Sequence, residues 1–283
     1  MNLQQTRITQ VTTALQEDLN GLDAQLDITA QLIPANHQAT ANLITREACI
    51  VCGTEWVDET FKQLNSKTEN KVSIEWFVKD GDRVTADTLL CKLTGSAQVI
   101  LTGERTAMNF LQTLSGTATA TATYTDLIAH TQTKLLDTRK TIPGLRLAQK
   151  YAVKCAGGEN HRIGLYDAFL IKENHIAAAG SISNAVKQAH IIAPNKPVEV
   201  EVENNNELQQ AIDAGADIVM LDNYSPKDIA EAVNIANKQI KIEVSGDIDL
   251  NTIVSYAQTG VDYISCGALT KHVKAVDLSL RLV

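Results

Sequence analysis

No run of about 18 consecutive apolar residues occurs in the 283-residue chain, so a membrane-spanning helix is excluded. The opening stretch, MNLQQTRITQVTTALQEDLN, lacks the apolar core of an export signal and has the pattern of a polar amphipathic helix, so export is not expected. Positive charge is scarce: 25 Lys and Arg stand against 33 acidic side chains, a formal charge of −8. General nucleic-acid binding is thereby excluded, because phosphate contacts need a concentrated positive surface. Cysteines are few and odd in number (Cys49, Cys52, Cys91, Cys155, Cys266) and sit mostly in apolar stretches, which fits reduced core thiols and a cytoplasmic setting. Cys49 and Cys52 form a CxxC, but on an expected strand (Ala48 to Val51) these positions point to opposite faces, and no second pair follows. Neither zinc nor redox work is expected there.

The scarce positive charge is unevenly placed. Between Arg139 and Lys172 lie seven basic residues and two acids, a local excess of +5. This layout points to a small anionic ligand bound at one place.

The length allows one large domain, or one plus a smaller one. Up to about residue 115 the chain reads as a helix, then short strands at 41–52, 71–78, 88–94 and 97–101 with a turn at Asp80-Gly81-Asp82, then a helix from Glu104 to Leu114. This half is expected to be α+β. From about 133 the pattern becomes short apolar strands ending in polar residues, each followed by a helical stretch: KLLDTRK, AFLIKEN, VEVEVEN, DIVMLDN, KIEVSGD and DYISCGA. The last four strand ends, Glu201, Asp222, Ser245 and Cys266, recur every 21–23 residues, the period of a β-loop-α-loop unit. Polar residues close every strand, which favours an α/β barrel over a doubly wound sheet, whose functional residues gather at one crevice.

Several strand ends carry candidate chemistry. Asp137-Thr138-Arg139-Lys140-Thr141 offers a guanidinium fork and a point charge for anions. Gly157-Gly158-Glu159-Asn160-His161-Arg162 adds flexible backbone and two more donors. Lys172, ending an apolar run, is an electrostatic anchor or, with a depressed pKa, a Schiff-base amine. Glu199, Glu201 and Glu203 share one strand face, and Glu201 with Asp222, beside Asn223, forms a carboxylate pair suited to ribose hydroxyls and Mg²⁺. Ser245-Gly246-Asp247 and Cys266-Gly267-Ala268 follow the closing strands, where α/β barrels bind phosphate.

Together with Asn160-His161-Arg162, the runs DTRKTIPGLR (137–146), LIKENH (170–175), EVEVE (199–203), MLDN (220–223) and TGVD (259–262) closely resemble the quinolinate phosphoribosyltransferase family. Glu17-Asp18, Asp27-Ile28-Thr29, Glu104-Arg105, Asn109 and Ser115-Gly116 match as well, so the resemblance covers essentially the whole chain. It implies an enzyme of NAD biosynthesis that joins quinolinate to phosphoribosyl pyrophosphate with Mg²⁺, releasing pyrophosphate and CO₂ and giving nicotinate mononucleotide. The implied fold is an N-terminal α/β sandwich (1–115, joined by 270–283) plus an incomplete, open α/β barrel (116–269) of the type II phosphoribosyltransferase kind. Homodimers or higher homo-oligomers with shared active sites are implied, Arg105 reaching into a neighbour's barrel. By position, Arg139, His161, Arg162 and Lys172 would bind the quinolinate carboxylates, with Thr138 beside them. Lys140 would serve both substrates, and Glu201 and Asp222 would take the ribose hydroxyls and metal; these three are the implied catalytic residues. The 245–247 and 266–268 loops would hold the 5′-phosphate. The chain departs from the family pattern at Asp247, often Gly or Asn, whose side chain is expected to point away from the phosphate. It departs also at Ala156 and Leu26, where Gly is common.

Three other readings are weighed against this one. A nicotinate phosphoribosyltransferase leaves the arginine surplus without a second carboxylate, a Schiff-base lyase on Lys172 leaves the other cations unexplained, and an anion sensor does not need so complete a constellation.

Overall fold

The computed structural model describes residues 2–222 and 224–283; Asn223 lies outside the described residues. In chain order the elements are α1 (Leu3–Leu19), β1 (Gln38–Thr45), β2 (Cys49–Ile50), α2 (Thr54–Asn65), β3 (Ser73–Trp76), β4 (Arg83–Val84), β5 (Leu89–Ser96), α3 (Ala97–Ile128), β6 (Lys134–Leu136) and α4 (Arg146–Cys155). They continue with β7 (Phe169–Ile171), α5 (Glu173–Ala179), α6 (Ile182–Ile192), β8 (Val198–Val202), α7 (Asn205–Ala214), β9 (Ile218–Asp222), α8 (Pro226–Ala236), β10 (Lys241–Ser245), α9 (Ile253–Ala257), β11 (Tyr263–Ser265), α10 (Ala268–Lys271) and β12 (Leu278–Leu282). Contacts divide the chain into two compact units, one of Met1–Ala122, Ile142–Ala156 and His272–Val283, the other of Thr123–Thr141 and Gly157–Lys271.

The first unit holds an antiparallel sheet in the order β12-β1-β5-β3, so the C-terminal strand closes one edge beside β1. Segment 142–156, assigned to the barrel from sequence, packs in this unit. The reason lies on α4, whose Ala148, Ala152 and Val153 are buried. Tyr151 of the same helix sits 5.7 Å from the buried Trp56 ring and donates its hydroxyl to Asp80 at 2.8 Å. Asp80 also accepts from the N–H groups of Gly53 and Thr54 (3.0 Å each), capping the start of α2. Cys52 lies with Asp80 and Cys155, ligand atoms within 4.8 Å of one another, and Cys49 is not in that group, so the CxxC spacing is not a spatial pair.

The expected strand at 97–101 is instead the first turn of α3. Ser96 ends β5 and accepts from the N–H of Val99 at 3.4 Å, starting the helix at once. A five-residue segment with one polar residue, Gln98, satisfies strand and helix equally, and here the buried pair Val99 and Ile100 continues into the helical face of Ala107, Leu111 and Leu114.

The second unit carries six parallel strands in the order β6-β11-β10-β9-β8-β7. Strands β7 to β11 are neighbours in sequence order without reversal, and the first strand, β6, joins the last. That cyclic order, cut between β6 and β7, is an open α/β barrel; a doubly wound sheet would reverse direction midway. At the cut, the backbone of Glu159 bridges to Leu136 of β6 in parallel. Each crossover helix is set by local chemistry: Ser181, Asn204 and Ser225 cap α6, α7 and α8 with their side chains, and Gly215 at φ +78° ends α7.

Gly116, inside α3, is required by close approach: a Cβ there would lie 2.1 Å from the Lys274 carbonyl oxygen of the segment leading to β12. Gly116→Ala should therefore push that segment away and lower stability by about 1–3 kcal/mol, measured by denaturant unfolding.

Candidate active site

All the sequence-predicted site residues except Arg105 lie in the second unit, at the C-terminal ends of its strands or in the loops after them. After β6, Asp137 is fully buried, and the Thr138 hydroxyl accepts from the N–H of Lys140 at 3.0 Å. The Lys140 carbonyl in turn accepts from the Thr270 hydroxyl at 2.9 Å, so this backbone is pinned from both sides while the Lys140 side chain is exposed. A Cβ on Gly267 would come within 2.8 Å of Lys140 Cδ and 3.4 Å of Thr138 Oγ1. The 266–268 loop thus lies directly against the Lys140 side chain, which would have to shift for any larger residue at 267.

Arg139 and Arg162 are half-buried and close enough to interact. Burial first, and then the neighbouring Arg139 charge, pull the Arg162 guanidinium below its ordinary pKa, opposed by Glu199. Arg139 Nε is buried without a hydrogen-bond partner among the described residues. Arg162 Nη1 donates to the Ala168 carbonyl at 3.3 Å.

His161 has its ring turned into the protein. Its backbone N–H donates to Asp137 Oδ1 at 3.0 Å, and its ring Nδ1 accepts from the N–H of Arg162 at 2.7 Å. Nε2 is turned inward, 3.0 Å from Glu199 Oε2 and 3.5 Å from Glu243 Oε2. Both ring nitrogens are therefore engaged within the protein. Glu199 and Glu243 are buried, and burial first, with the Glu199 charge second, pushes Glu243 up to about 8. Glu243 is a residue that the sequence reading missed. Its signal was the Ile-Glu-Val alternation in KIEVSGD, which puts an acid on the same strand face as Lys241 and Ser245.

Lys172 forms an ion pair with Glu201, a half-exposed ammonium against a mostly buried carboxylate. Asp222 is in register with Ser245 on the adjacent strand. Its Oδ1 lies 3.9 Å from where a Cβ on Gly246 would stand, which brings the carboxylate to the 245–247 loop. Asp247 is exposed and takes φ +37°, the left-handed region where Gly and Asn are at ease, which accounts physically for those residues being common at this place. The Cys266 side chain is buried and turned to the Ile248 carbonyl at 3.6 Å, so Cys266 offers only backbone to a ligand.

In the first unit, Arg105 is exposed on α3 and lines a cavity of about 240 Å³ with Glu17, Asp18 and Asn109. The acidic pair and the Arg-Asn pair, far apart in sequence, thus share one pocket wall.

The fold and this constellation agree with comparisons to known proteins. Residues 27–115 match the model of the quinolinate phosphoribosyl transferase N-terminal domain, and residues 117–281 that of its C-terminal domain. A probable nicotinate-nucleotide pyrophosphorylase (carboxylating) of Bacillus subtilis is 42% identical over 255 residues, 90% of this chain and 87% of that one. The corresponding Mycobacterium leprae protein is 38% identical, covering 95% of this chain and 94% of its own. Among solved structures, the nicotinate-nucleotide pyrophosphorylase of Francisella tularensis superposes with TM-score 0.91 at 54% identity, over 98% of this chain and 97% of that one. With both domain models matched in order over nearly the whole length, the chain belongs to the quinolinate phosphoribosyltransferase family.

Proposed function

We propose that the protein transfers the phosphoribosyl group of phosphoribosyl pyrophosphate to quinolinate, with loss of pyrophosphate and CO₂, giving nicotinate mononucleotide in NAD biosynthesis. The observation that carries this reading is that two half-buried arginines, Arg139 and Arg162, stand at one barrel mouth and oppose each other electrostatically. Their mutual repulsion is relieved by a dianion placed between them, and quinolinate, with adjacent carboxylates, is such a ligand. Lys172 gives a further cation at the mouth, and Lys140, exposed beside Gly267, reaches toward both substrates.

Glu201 and Asp222, at the ends of β8 and β9, face the ribose. As pyrophosphate departs, the ribosyl carbon gains positive charge, which these carboxylates stabilise. The pyridine nitrogen then bonds to that carbon, and the carboxylate next to it leaves as CO₂, its electron pair taken up by the new pyridinium. Hard carboxylate oxygens fit Mg²⁺, and Glu201 and Asp222 belong to no group of three close ligands among the described residues. They fit an ion that arrives with most of its coordination filled by phosphates and water, and when bound it would neutralise charge on the leaving pyrophosphate. The backbone of Ser245–Asp247 and of Gly267 and Ala268 holds the 5′-phosphate.

We further propose a homodimer or larger homo-oligomer in which Arg105 enters a partner's barrel. Its exposure beside Asn109 supports this, as do the bare side chains of Ile28 and Leu32, 85% and 84% exposed. Five free thiols support a reducing, cytoplasmic setting. Among the described residues no helix is long and apolar enough to cross a membrane.

The direct test supplies purified protein with Mg²⁺, phosphoribosyl pyrophosphate and either quinolinate or nicotinate. Nicotinate mononucleotide with CO₂ from quinolinate is expected, and a preference for nicotinate would overturn the reading. Lys140→Ala should lower kcat by about 100-fold or more with an unchanged thermal midpoint, since the side chain is exposed. Arg105→Ala should be inactive alone, yet regain activity when subunits are exchanged with Lys140→Ala; absence of rescue would count against a shared site.

A further inference from the structure

We propose that Glu199 and Glu243 are positioning residues: with His161 they form a buried acid–imidazole cluster that steadies the backbone of Arg162 in the anion-binding site. The inference rests on the reading of Arg162 as a ligand of a substrate carboxylate, and it assigns work to two acids that the reaction itself does not use.

The argument begins with the imidazole. Nδ1 accepts a short bond from the Arg162 N–H, 2.7 Å, so Nδ1 carries a lone pair and the ring proton resides on Nε2. Nε2–H then has Glu199 Oε2 at 3.0 Å as its acceptor, with Glu243 Oε2 at 3.5 Å behind it. The order of the chain does the rest. His161 is held by Asp137 through its own N–H at 3.0 Å, and the Asp137 N–H is held in turn by the Glu159 carbonyl at 3.1 Å. Arg162 is therefore fixed at its backbone by the ring of the residue before it and at its guanidinium by the Ala168 carbonyl. A rotation of the imidazole would release the first of these restraints.

The cluster is costly in any purely structural role. Glu199 is 3% exposed and Glu243 is fully buried; Glu199 Oε1 has no hydrogen-bond partner among the described residues, and Glu243 faces only Glu199, Ser265 and the His161 ring. Apolar side chains of similar volume would fill this layer of the barrel at lower cost. One proton retained by the pair, on Glu243, gives a donor for a neighbouring carboxylate oxygen and leaves one negative charge beneath Arg162. An imidazole and two carboxylates with ligand atoms within 4.8 Å also resemble a divalent-cation site. The tautomer argues against that use: a metal needs the Nε2 lone pair, which would put the proton on Nδ1, where the Arg162 N–H already points.

The test compares Glu199→Leu with Glu199→Gln, whose amide oxygen still accepts from Nε2–H. In Glu199→Leu the KM for quinolinate should rise about tenfold or more, while kcat and the KM for phosphoribosyl pyrophosphate stay within about twofold. Glu199→Gln should recover most of the loss, and Glu243→Leu should shift the quinolinate KM in the same direction to a smaller extent. A parallel fall in kcat and in both affinities with a lowered thermal midpoint would assign the cluster a structural role only and overturn the proposal. Should the leucine variants not fold, ¹⁵N-histidine NMR of the unaltered protein decides, with His161 assigned by loss of its signals in His161→Asn. A neutral ring protonated at Nε2 is expected, and protonation at Nδ1 overturns the inference. Absence of quinolinate turnover in the unaltered enzyme would instead count against the assigned reaction, leaving the NMR result to judge the cluster.

Discussion

Two half-buried guanidiniums, those of Arg139 and Arg162, oppose one another electrostatically at the ends of a parallel sheet, and the arrangement of the barrel mouth follows from that repulsion. In water the repulsion would cost little, but half-burial lowers the effective dielectric and strengthens it. Part of the compensation is built in: Glu199 draws Arg162 back toward its charged form from beneath. The remainder is left for the ligand. A site with one unit of negative charge below and two of positive charge above is short by about one, and the adjacent carboxylates of a pyridine diacid more than cover that shortfall.

Lys172 and Glu201 illustrate the opposite economy. Without substrate they satisfy each other, and because the ammonium is half-exposed the pair contributes only about 0–1 kcal/mol. Exchanging it for two new partners, a carboxylate for Lys172 and ribose hydroxyls for Glu201, therefore costs little. Charges that must be released are left near solvent, whereas those that must not move are buried. Glu199 and Glu243 belong to the second kind, and so does Asp137, which holds the backbone of His161.

Much of the barrel was legible in the sequence because its strands are short, rich in Val, Ile and Leu, and spaced by a repeating crossover. Each of the six strand runs became a strand of the parallel sheet, and the cyclic order β6-β11-β10-β9-β8-β7 is what polar closures at every strand end foretell. The misreadings have physical causes. Segment 97–101 is too short for its period to distinguish strand from helix, and a single hydroxyl, that of Ser96, decides it. α4 follows a barrel strand in sequence, but Trp56 and Asp80, which draw Tyr151 into the first unit, lie about 70 or more residues earlier and leave no local trace. His161 has the composition of a ligand-binding residue. Its ring Nε2 meets Glu199 and Glu243, 38 and 82 positions later, which no pattern around His161 announces.

Specificity follows from the same charges. A monocarboxylate such as nicotinate could engage one of the two arginines and would leave the other half-buried and still opposed by its neighbour. Losing one charge-assisted hydrogen bond costs about 1.5–3 kcal/mol, a factor of roughly 10–150 in relative binding. That factor persists only while the second guanidinium is kept from turning toward solvent. A flexible Arg162 would swing away and make the site tolerant; the bond from Nη1 to the Ala168 carbonyl opposes that swing, and the His161 ring holds the backbone from which the side chain extends. The buried acids near the arginines thus bear on discrimination as well as on affinity, because the backbone they steady through His161 positions Arg162 for the right ligand and keeps an unmatched charge in place when the wrong one arrives.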